Sequence, residues 1–427
     1  MAVADIHRAI EAVWRIEAAK VIAGLSRIVR DLDLAEDLAQ EALVVALEKW
    51  PVSGIPPKPG AWLMATAKYR ALDHFRALEH SGRKHEELSR ELIELERTPP
   101  DMVSAVDDPI GDDVLRLIFI SCHPVLSTEA RAALTLRVVG GLTTDEIARA
   151  FLVPESTIAQ RIVRAKKTLG QKRIPFEVPR GLDLAARLSS VLEVIYLIFN
   201  EGYSATAGGE LIRASLCEEA LRLGRILAEL DAEEPEVHGL VALMEIQASR
   251  SRARVSATGE PILLLEQNRA LWDQLLIRRG LVALERGNAL TSVRGPYLLQ
   301  AEIAACHARA LTAEATDWGR IVALYTELAR VTPSPIVDLN RAVAVSMHTG
   351  VEEALQLLDP LLSQPLMKNY HLLPSVRGDL LARLSRHAEA AAEFERAASL
   401  TCNAREQTLL LERALVNAKA AAKVGEL

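Results

Sequence analysis

Apolar and polar positions alternate with a helical period along most of this chain. Over residues 5–30, Ile6, Ile10, Val13, Trp14, Ala18, Val21 and Leu25 fall near one side of a helix. Asp31-Leu32-Asp33 interrupts the pattern, and a second helix is predicted from Leu34 to Trp50, ending at Pro51. It turns Leu38, Ala42, Val45 and Ala46 inward, while Asp37, Glu41, Val44 and Glu48, with Gln40 beside them, form a mostly acidic outer face. VSGIPPKPG, residues 52–60, is too rich in proline and glycine for anything but a loop. The next helix, Ala61 to about Leu78, buries Met64, Ala67, Ala71, Phe75 and Leu78. Its other side carries Trp62, Thr66, Tyr69, Asp73 and Arg76, a face suited to stacking on unpaired bases, although Trp62 fits a core position equally well.

Residues 81–110 lose the period. Charges dominate, then Pro99-Pro100 and Pro109-Ile110-Gly111 break the chain, so this stretch reads as an acidic linker. Asp112 opens a compact helical unit extending to about Phe176. Within it, LTTDEIARAFLVPESTIAQRIVRAKKTL reads as two short helices joined by a tight break. Thr143 and Glu146 have the spacing of a capping box. Pro154 suits the first turn of the second helix, where its missing N–H costs nothing. Ile158, Ile162, Ala165 and Leu169 form a buried stripe there, opposite Ser156, Thr157, Gln160, Arg161, Arg164 and Lys167. Short polar groups lead and cations follow, as in a helix whose start meets base edges and whose later turns meet phosphate. A surface hairpin with a solvated basic face is the plainer alternative.

From Gly181 onward the chain is a series of Ala/Leu-rich helices, broken near 200–203, 232–235, 256–261, 295–296 and 332–335. Gly378, Ala390, Phe394 and Ala397 have the spacing of a tetratricopeptide helix pair. Ala354 and Leu358 sit about one repeat earlier, and Ile321, Tyr325 and Pro333 about one before that. Such arrays bury a shared core and offer a groove for a peptide or partner helix.

At 427 residues the chain is long enough for two to four domains. Aromatics make up only 4%, and runs of alternating β-branched residues are missing, so the fold class is all-α. A net charge of −7 would disfavour nucleic acid if it were evenly spread. It is not: Arg161, Arg164, Lys166, Lys167, Lys172 and Arg173 crowd one segment, while carboxylates crowd residues 86–108. Cys122, Cys217, Cys306 and Cys402 lie far apart without a C-x-x-C pair, which disfavours disulfide and zinc frameworks and fits a cytoplasmic protein. No signal peptide is expected, and the most apolar run, Val191–Phe199, is interrupted by Glu193 and too short to span a bilayer.

No catalytic, phosphate-loop or dinucleotide signature occurs, so no enzyme activity and no cofactor or metal is expected. Cys122-His123-Pro124 lacks a second ligand pair and reads as a helix-ending turn. Glu201, before Gly202, reads as a helix C-terminus with a glycine stop. Recognition is the chemistry these residues can carry. By themselves they also fit a helix-turn-helix regulator with a tetratricopeptide-like sensor.

DLAEDLAQEALVVALEKWP, PGAWLMATAKYRALDHFR and the Leu142–Leu169 helix-turn-helix, in this order and spacing, resemble the sigma-70 family of bacterial RNA polymerase sigma factors. The resemblance covers about the first 175 residues and is to the extracytoplasmic-function (ECF) group, which keeps only regions 2 and 4. CHPVLS and YLIFNEGYSAT resemble the subgroup with a long tetratricopeptide-like extension. It implies region 2 over 1–80, an acidic linker over 81–110, region 4 over 111–176 and an α-solenoid extension over 177–427. It implies RNA polymerase core and promoter DNA as partners, with no membrane. Asp37, Gln40, Glu41, Val44 and Glu48 would meet the β′ clamp helices, and region 4 the β flap. The 51–60 loop and Trp62, Thr66, Tyr69, Arg70, Asp73 and Arg76 would capture the −10 element. Glu155, Ser156, Thr157, Gln160, Arg161, Arg164 and Lys167 would read the −35 element. Apart from the resemblance, the C-terminal array exceeds what promoter reading requires and is expected to control activity, its groove covering the DNA-binding helices or receiving a protein or peptide partner. Two departures from the family pattern stand out: Tyr69 replaces a common Asn, and Leu152 replaces the usual turn Gly, which costs roughly 1–2 kcal/mol if the turn is left-handed.

Overall fold

In the computed structural model, residues 3–80, 109–151, 153–172, 174–179, 182–204, 207–208, 212–256 and 259–425 are described. They divide into two compact units, 1–197 and 198–427. Among the described residues the architecture is all-α apart from one two-residue strand pair. The acidic linker of residues 81–108 and Leu152 lie outside the described residues. Among the described residues no helix is long and apolar enough to cross a membrane.

The first unit begins with α1 (Val3–Val29), α2 (Leu32–Ser53) and α3 (Pro59–His80). Asp31 caps α2, its carboxylate accepting from the N–H groups of Asp33 and Leu34. Leu25, Leu38, Ala42, Leu63 and Ala67 are at most 2% exposed and form the shared interior of these three helices. Pro51 does not end α2 as the sequence suggested: the helix runs on to Ser53, and Gly54, at a φ of 82°, closes it by donating to the Trp50 carbonyl. Burial of Trp50 at 1% exposure holds that last turn in place of the hydrogen bond that proline cannot make. The loop is accordingly shorter than expected, and α3 starts at Pro59.

Next come α4 (Pro109–Ser121), α5 (Thr128–Val138), α6 (Thr144–Phe151) and α7 (Glu155–Gln171). Pro109 opens α4 rather than breaking the chain before it, because proline at a helix start forfeits a donor that would be unpaired anyway. The division between units falls within α8 (Leu182–Tyr203). The first half of α8 is tied to α4 and α5. Arg131, only 8% exposed, bonds to Ser190 Oγ and pairs with Glu193 at 3.1 Å, while Arg187 donates to the Phe119 carbonyl at 2.8 Å.

The second unit continues through α9 (Ala214–Leu230), α10 (Pro235–Ala248), α11 (Gln274–Leu290), α12 (Pro296–Arg309), α13 (Trp318–Val331), α14 (Pro335–His348), α15 (Val351–Leu358), α16 (Leu372–Arg383), α17 (His387–Leu400) and α18 (Ala404–Gly425). Successive helices pack as neighbours around separate small cores, such as Leu381, Ala390, Phe394, Ala397 and Leu410. At Gly378 a side chain would meet the Phe394 ring at 3.1 Å, so glycine lets α16 and α17 approach closely. Strand β1 (Ala207–Gly208) pairs in parallel with β2 (Cys402–Asn403), joining the start of this unit to its end.

Candidate nucleic-acid and polymerase interfaces

The helix-turn-helix of α6 and α7 forms as its sequence dictates. Glu146 accepts the Thr143 N–H at 2.8 Å and donates its own N–H to Thr143 Oγ1 at 3.1 Å, a complete capping box. In α7, Ile158, Ile162, Ala165 and Leu169 are the buried residues, and α7 packs on α5 and α6. Pro154 stands at the cap, one residue before the helix. Glu155, Ser156, Gln160, Arg164 and Lys167 are exposed, with Thr157 and Arg161 half-buried. All seven residues expected to face the −35 element thus occupy the solvent side of one helix.

The second face lies on α3. Tyr69, 60% exposed, stands there with Arg70, Asp73 and Arg76. Arg76 pairs with Asp73 at 3.8 Å and Arg70 with Glu41 of α2 at 3.7 Å. Trp62 is half-buried: its ring meets Trp50 edge-on, centroids 5.1 Å apart, so the indole is both core and surface. Thr66 donates its hydroxyl to the Trp62 carbonyl at 2.9 Å. On α2, Asp37, Glu41, Val44 and Glu48 are exposed, and Gln40 is half-buried. Burial raises the Asp37 carboxyl above the ordinary aspartate range, against the attraction of Lys166 and with the repulsion of neighbouring carboxylates.

Three residues that sequence reasoning left unassigned meet beside this helix. Glu36, 3% exposed, accepts Arg137 Nε and Gln40 Nε2, each at 2.6 Å, and pairs with Lys166 Nζ at 2.6 Å. Lys166 also donates to Asp33 Oδ1 at 2.7 Å. Burial opposes the Lys166 charge, but Glu36 and Asp33 outweigh it and raise its pKa. One signal was legible: Glu36 precedes the outer acidic face by one position, which turns it about 100° towards the interior.

Several polar groups elsewhere among the described residues pair within the fold. Cys122 Sγ lies 3.2 Å from Thr135 Oγ1, burial pushes the thiol up to about 11, and His123 accepts the Val125 N–H at 3.0 Å in the turn after α4. Glu201 pairs with Arg213. Gly202 is not the expected helix stop: it lies inside α8, where a side chain would come within 2.6 Å of the Cys217 backbone nitrogen, so glycine serves close packing on α9. Tyr203 carries Arg254 over its ring at 3.7 Å and accepts from Arg250 at 2.8 Å. Arg269 lies 4.8 Å from the centre of the Trp272 ring. Burial first, and then Arg250 and Arg269, push His307 down to about 4.

The geometry defines a class first: an all-helical chain carrying a helix-turn-helix, with an acidic helix and an aromatic-basic helix on its N-terminal bundle. Comparisons with known proteins fix it further. Sigma-70 region 2 matches residues 15–80 and sigma-70 region 4 matches residues 116–169. A family of unknown function (DUF6596) matches residues 187–288. An uncharacterized protein of Rhizobium meliloti is 44% identical over 389 residues, covering 91% of this chain and 90% of that protein. The probable ECF RNA polymerase sigma factor SigI of Mycobacterium tuberculosis is 26% identical over 176 residues, 40% of this chain and 58% of that protein. The ECF RNA polymerase sigma factor SigK of Mycobacterium ulcerans is 28% identical over 149 residues, 34% of this chain and 75% of that protein. The chain belongs to the sigma-70 family, as an ECF-like sigma factor.

Proposed function

We propose that this sigma factor binds core RNA polymerase through the outer face of α2 and directs it to promoters through α3 and α7. The observation that carries the reading is α7, whose buried stripe leaves every residue of the polar and basic face on the solvent side. Asp37, Gln40, Glu41, Val44 and Glu48 supply the polymerase contact, a partly acidic surface with exposed Val44 for apolar contact. Arg70 and Arg76 hold strand phosphates near the −10 element, while Tyr69 and the outer edge of Trp62 offer stacking surface for unpaired bases. On α7, Ser156, Thr157, Gln160 and Arg161 reach base edges of the −35 element, and Arg164 and Lys167 its phosphates, with Glu155 at the helix start.

Asp37→Arg tests the polymerase contact. It reverses a charge on the exposed face of α2, and circular dichroism checks that the fold tolerates an arginine near Lys166. Core-polymerase binding is expected to weaken several-fold, since a lost charge contact costs up to about 1 kcal/mol and the new cation adds repulsion. Pull-down or fluorescence titration with core enzyme measures it, and unchanged affinity would remove α2 from the interface.

For residues 198–427 we propose control of initiation by a helical, tetratricopeptide-like array, since this unit carries its own cores. A chain ending at Leu197 keeps the half of α8 that pairs with Arg131. Its promoter-directed transcription is expected to differ several-fold from that of the full chain, and equal activity would dismiss control by this unit.

A further inference from the structure

Two kinds of half-buried arginine occur in the second unit. Arg213, Arg225 and Arg377 pair with Glu201, Glu245 and Glu393, as cations drawn into a fold ordinarily do. Arg250, Arg254 and Arg269, equally half-buried, pair with no carboxylate among the described residues.

Aromatic rings hold these three instead. Arg254 lies over the Tyr203 ring at 3.7 Å and donates to the Tyr203 carbonyl. Arg250 lies against two rings, 5.9 Å from the centre of Tyr203 and 5.8 Å from that of Trp272. Arg269 lies 4.8 Å from the Trp272 centre and donates to the Ala310 carbonyl at 2.7 Å. Cation and ring thus alternate from Arg254 to Arg269, and the first ring belongs to the YLIFNEGYSAT phrase. Tyr203 and Trp272 are only 8% and 4% exposed.

Ring contacts position a cation but leave its charge uncompensated. Burial lowers the pKa of Arg254 and Arg269, and the Arg250 charge adds to the effect in both. Glu406 attracts Arg254 from beyond ion-pair distance, being engaged by His371 at 3.2 Å and Thr401 at 3.0 Å. Glu314, which attracts Arg269, is exposed. Donors are in surplus as well. Of the Arg250 donors only Nη2 is engaged, by the Tyr203 hydroxyl at 2.8 Å. The Nε1–H of Trp272, on the buried ring that Arg250 and Arg269 both touch, has no acceptor among the described residues. A buried indole N–H beside guanidinium forks calls for an acceptor that carries negative charge. Three cations exceed what one singly charged carboxylate offsets.

We infer that Arg250, Arg254 and Arg269, with the Trp272 N–H, form a binding site for a compact oxyanion of two or more negative charges, phosphoryl or polycarboxylate. With this unit read as a control element, the site is where its signal enters. That role rests on the proposed control, but binding is measured without polymerase or DNA, so the two fail separately.

Calorimetric titration of the full-length protein with pyrophosphate, and separately with citrate, is expected to give a Kd below about 1 mM for at least one of them. Binding of pyrophosphate alone assigns a phosphoryl ligand, binding of citrate alone a polycarboxylate, and binding of both a site that reads charge. Arg250→Gln is expected to weaken that binding about tenfold or more, as loss of a charge-assisted bond implies. Arg250→Lys keeps the charge, loses the planar fork and is expected to weaken it several-fold, which serves if Arg250→Gln fails to fold. Arg252→Gln, at an exposed position in the same turn, is expected to leave it unchanged. Binding of neither anion overturns the site, as does full affinity in a folded Arg250 variant or an equal loss in Arg252→Gln.

Discussion

Arg161→Ala/Arg164→Ala is expected to lower promoter-directed transcription by reconstituted holoenzyme about 10- to 100-fold, with the fold intact. A good base contact contributes roughly 1–3 kcal/mol of discrimination, and every 1.4 kcal/mol is tenfold. Both arginines lie on the solvent side of α7, opposite the stripe of Ile158, Ile162, Ala165 and Leu169. Truncating them removes no core atoms, and surface changes of this kind usually stay within about 0.5 kcal/mol of stability. The single variants separate the roles: Arg164→Ala weakens binding evenly across sequences and reduces the salt slope by about one, whereas Arg161→Ala relaxes preference at one position. Circular dichroism checks the fold, and run-off transcription reads the effect. Unchanged transcription from the double variant would mean that α7 faces the other way.

The largest structural effect is expected at Trp50. It is 1% exposed, it lies in the last turn of α2, and its ring supports Trp62 at 5.1 Å. Trp50→Ala should destabilise the first unit by about 3–5 kcal/mol, because the indole leaves a cavity that the helix end only partly fills. The same change removes the support beneath Trp62, so −10 capture is expected to fall in molecules that remain folded. Urea unfolding followed by circular dichroism gives the stability, and a loss below about 1 kcal/mol would show that the site collapses without cost.

Much of the fold was legible because local and tertiary preferences agree. The α7 stripe, the capping box and the Asp31-Leu32-Asp33 break each state in sequence what the packing then uses. The later breaks at Pro235, Pro296 and Pro335 are helix starts, as proline at a first helical position implies. Where the reading failed, burial and close packing decided the matter. Pro51 looked like a stop, but buried Trp50 carries the turn past it. Gly202 looked like a cap, but its neighbour is the α9 backbone at Cys217.

The candidate interfaces show the same division. Arg164, Lys167 and Tyr69 stand on outer faces that helical period alone predicts. Lys166 did not stand out, because a lysine in a basic run looks solvated, and the inward turn of Glu36 names no partner until residues 130 apart are brought together. The subgroup phrase around Tyr203 was visible as a motif, yet its role in stacking Arg254 depends on a loop 51 residues later.

The central claim is that this chain gives core RNA polymerase a promoter choice. Core polymerase with and without the full-length protein, transcribing genomic DNA in vitro with every 5′ start mapped, tests it most directly. Discrete new starts that share paired upstream elements, and that weaken together in Arg161→Ala/Arg164→Ala, are the expected result. The same starts with and without the protein would contradict it.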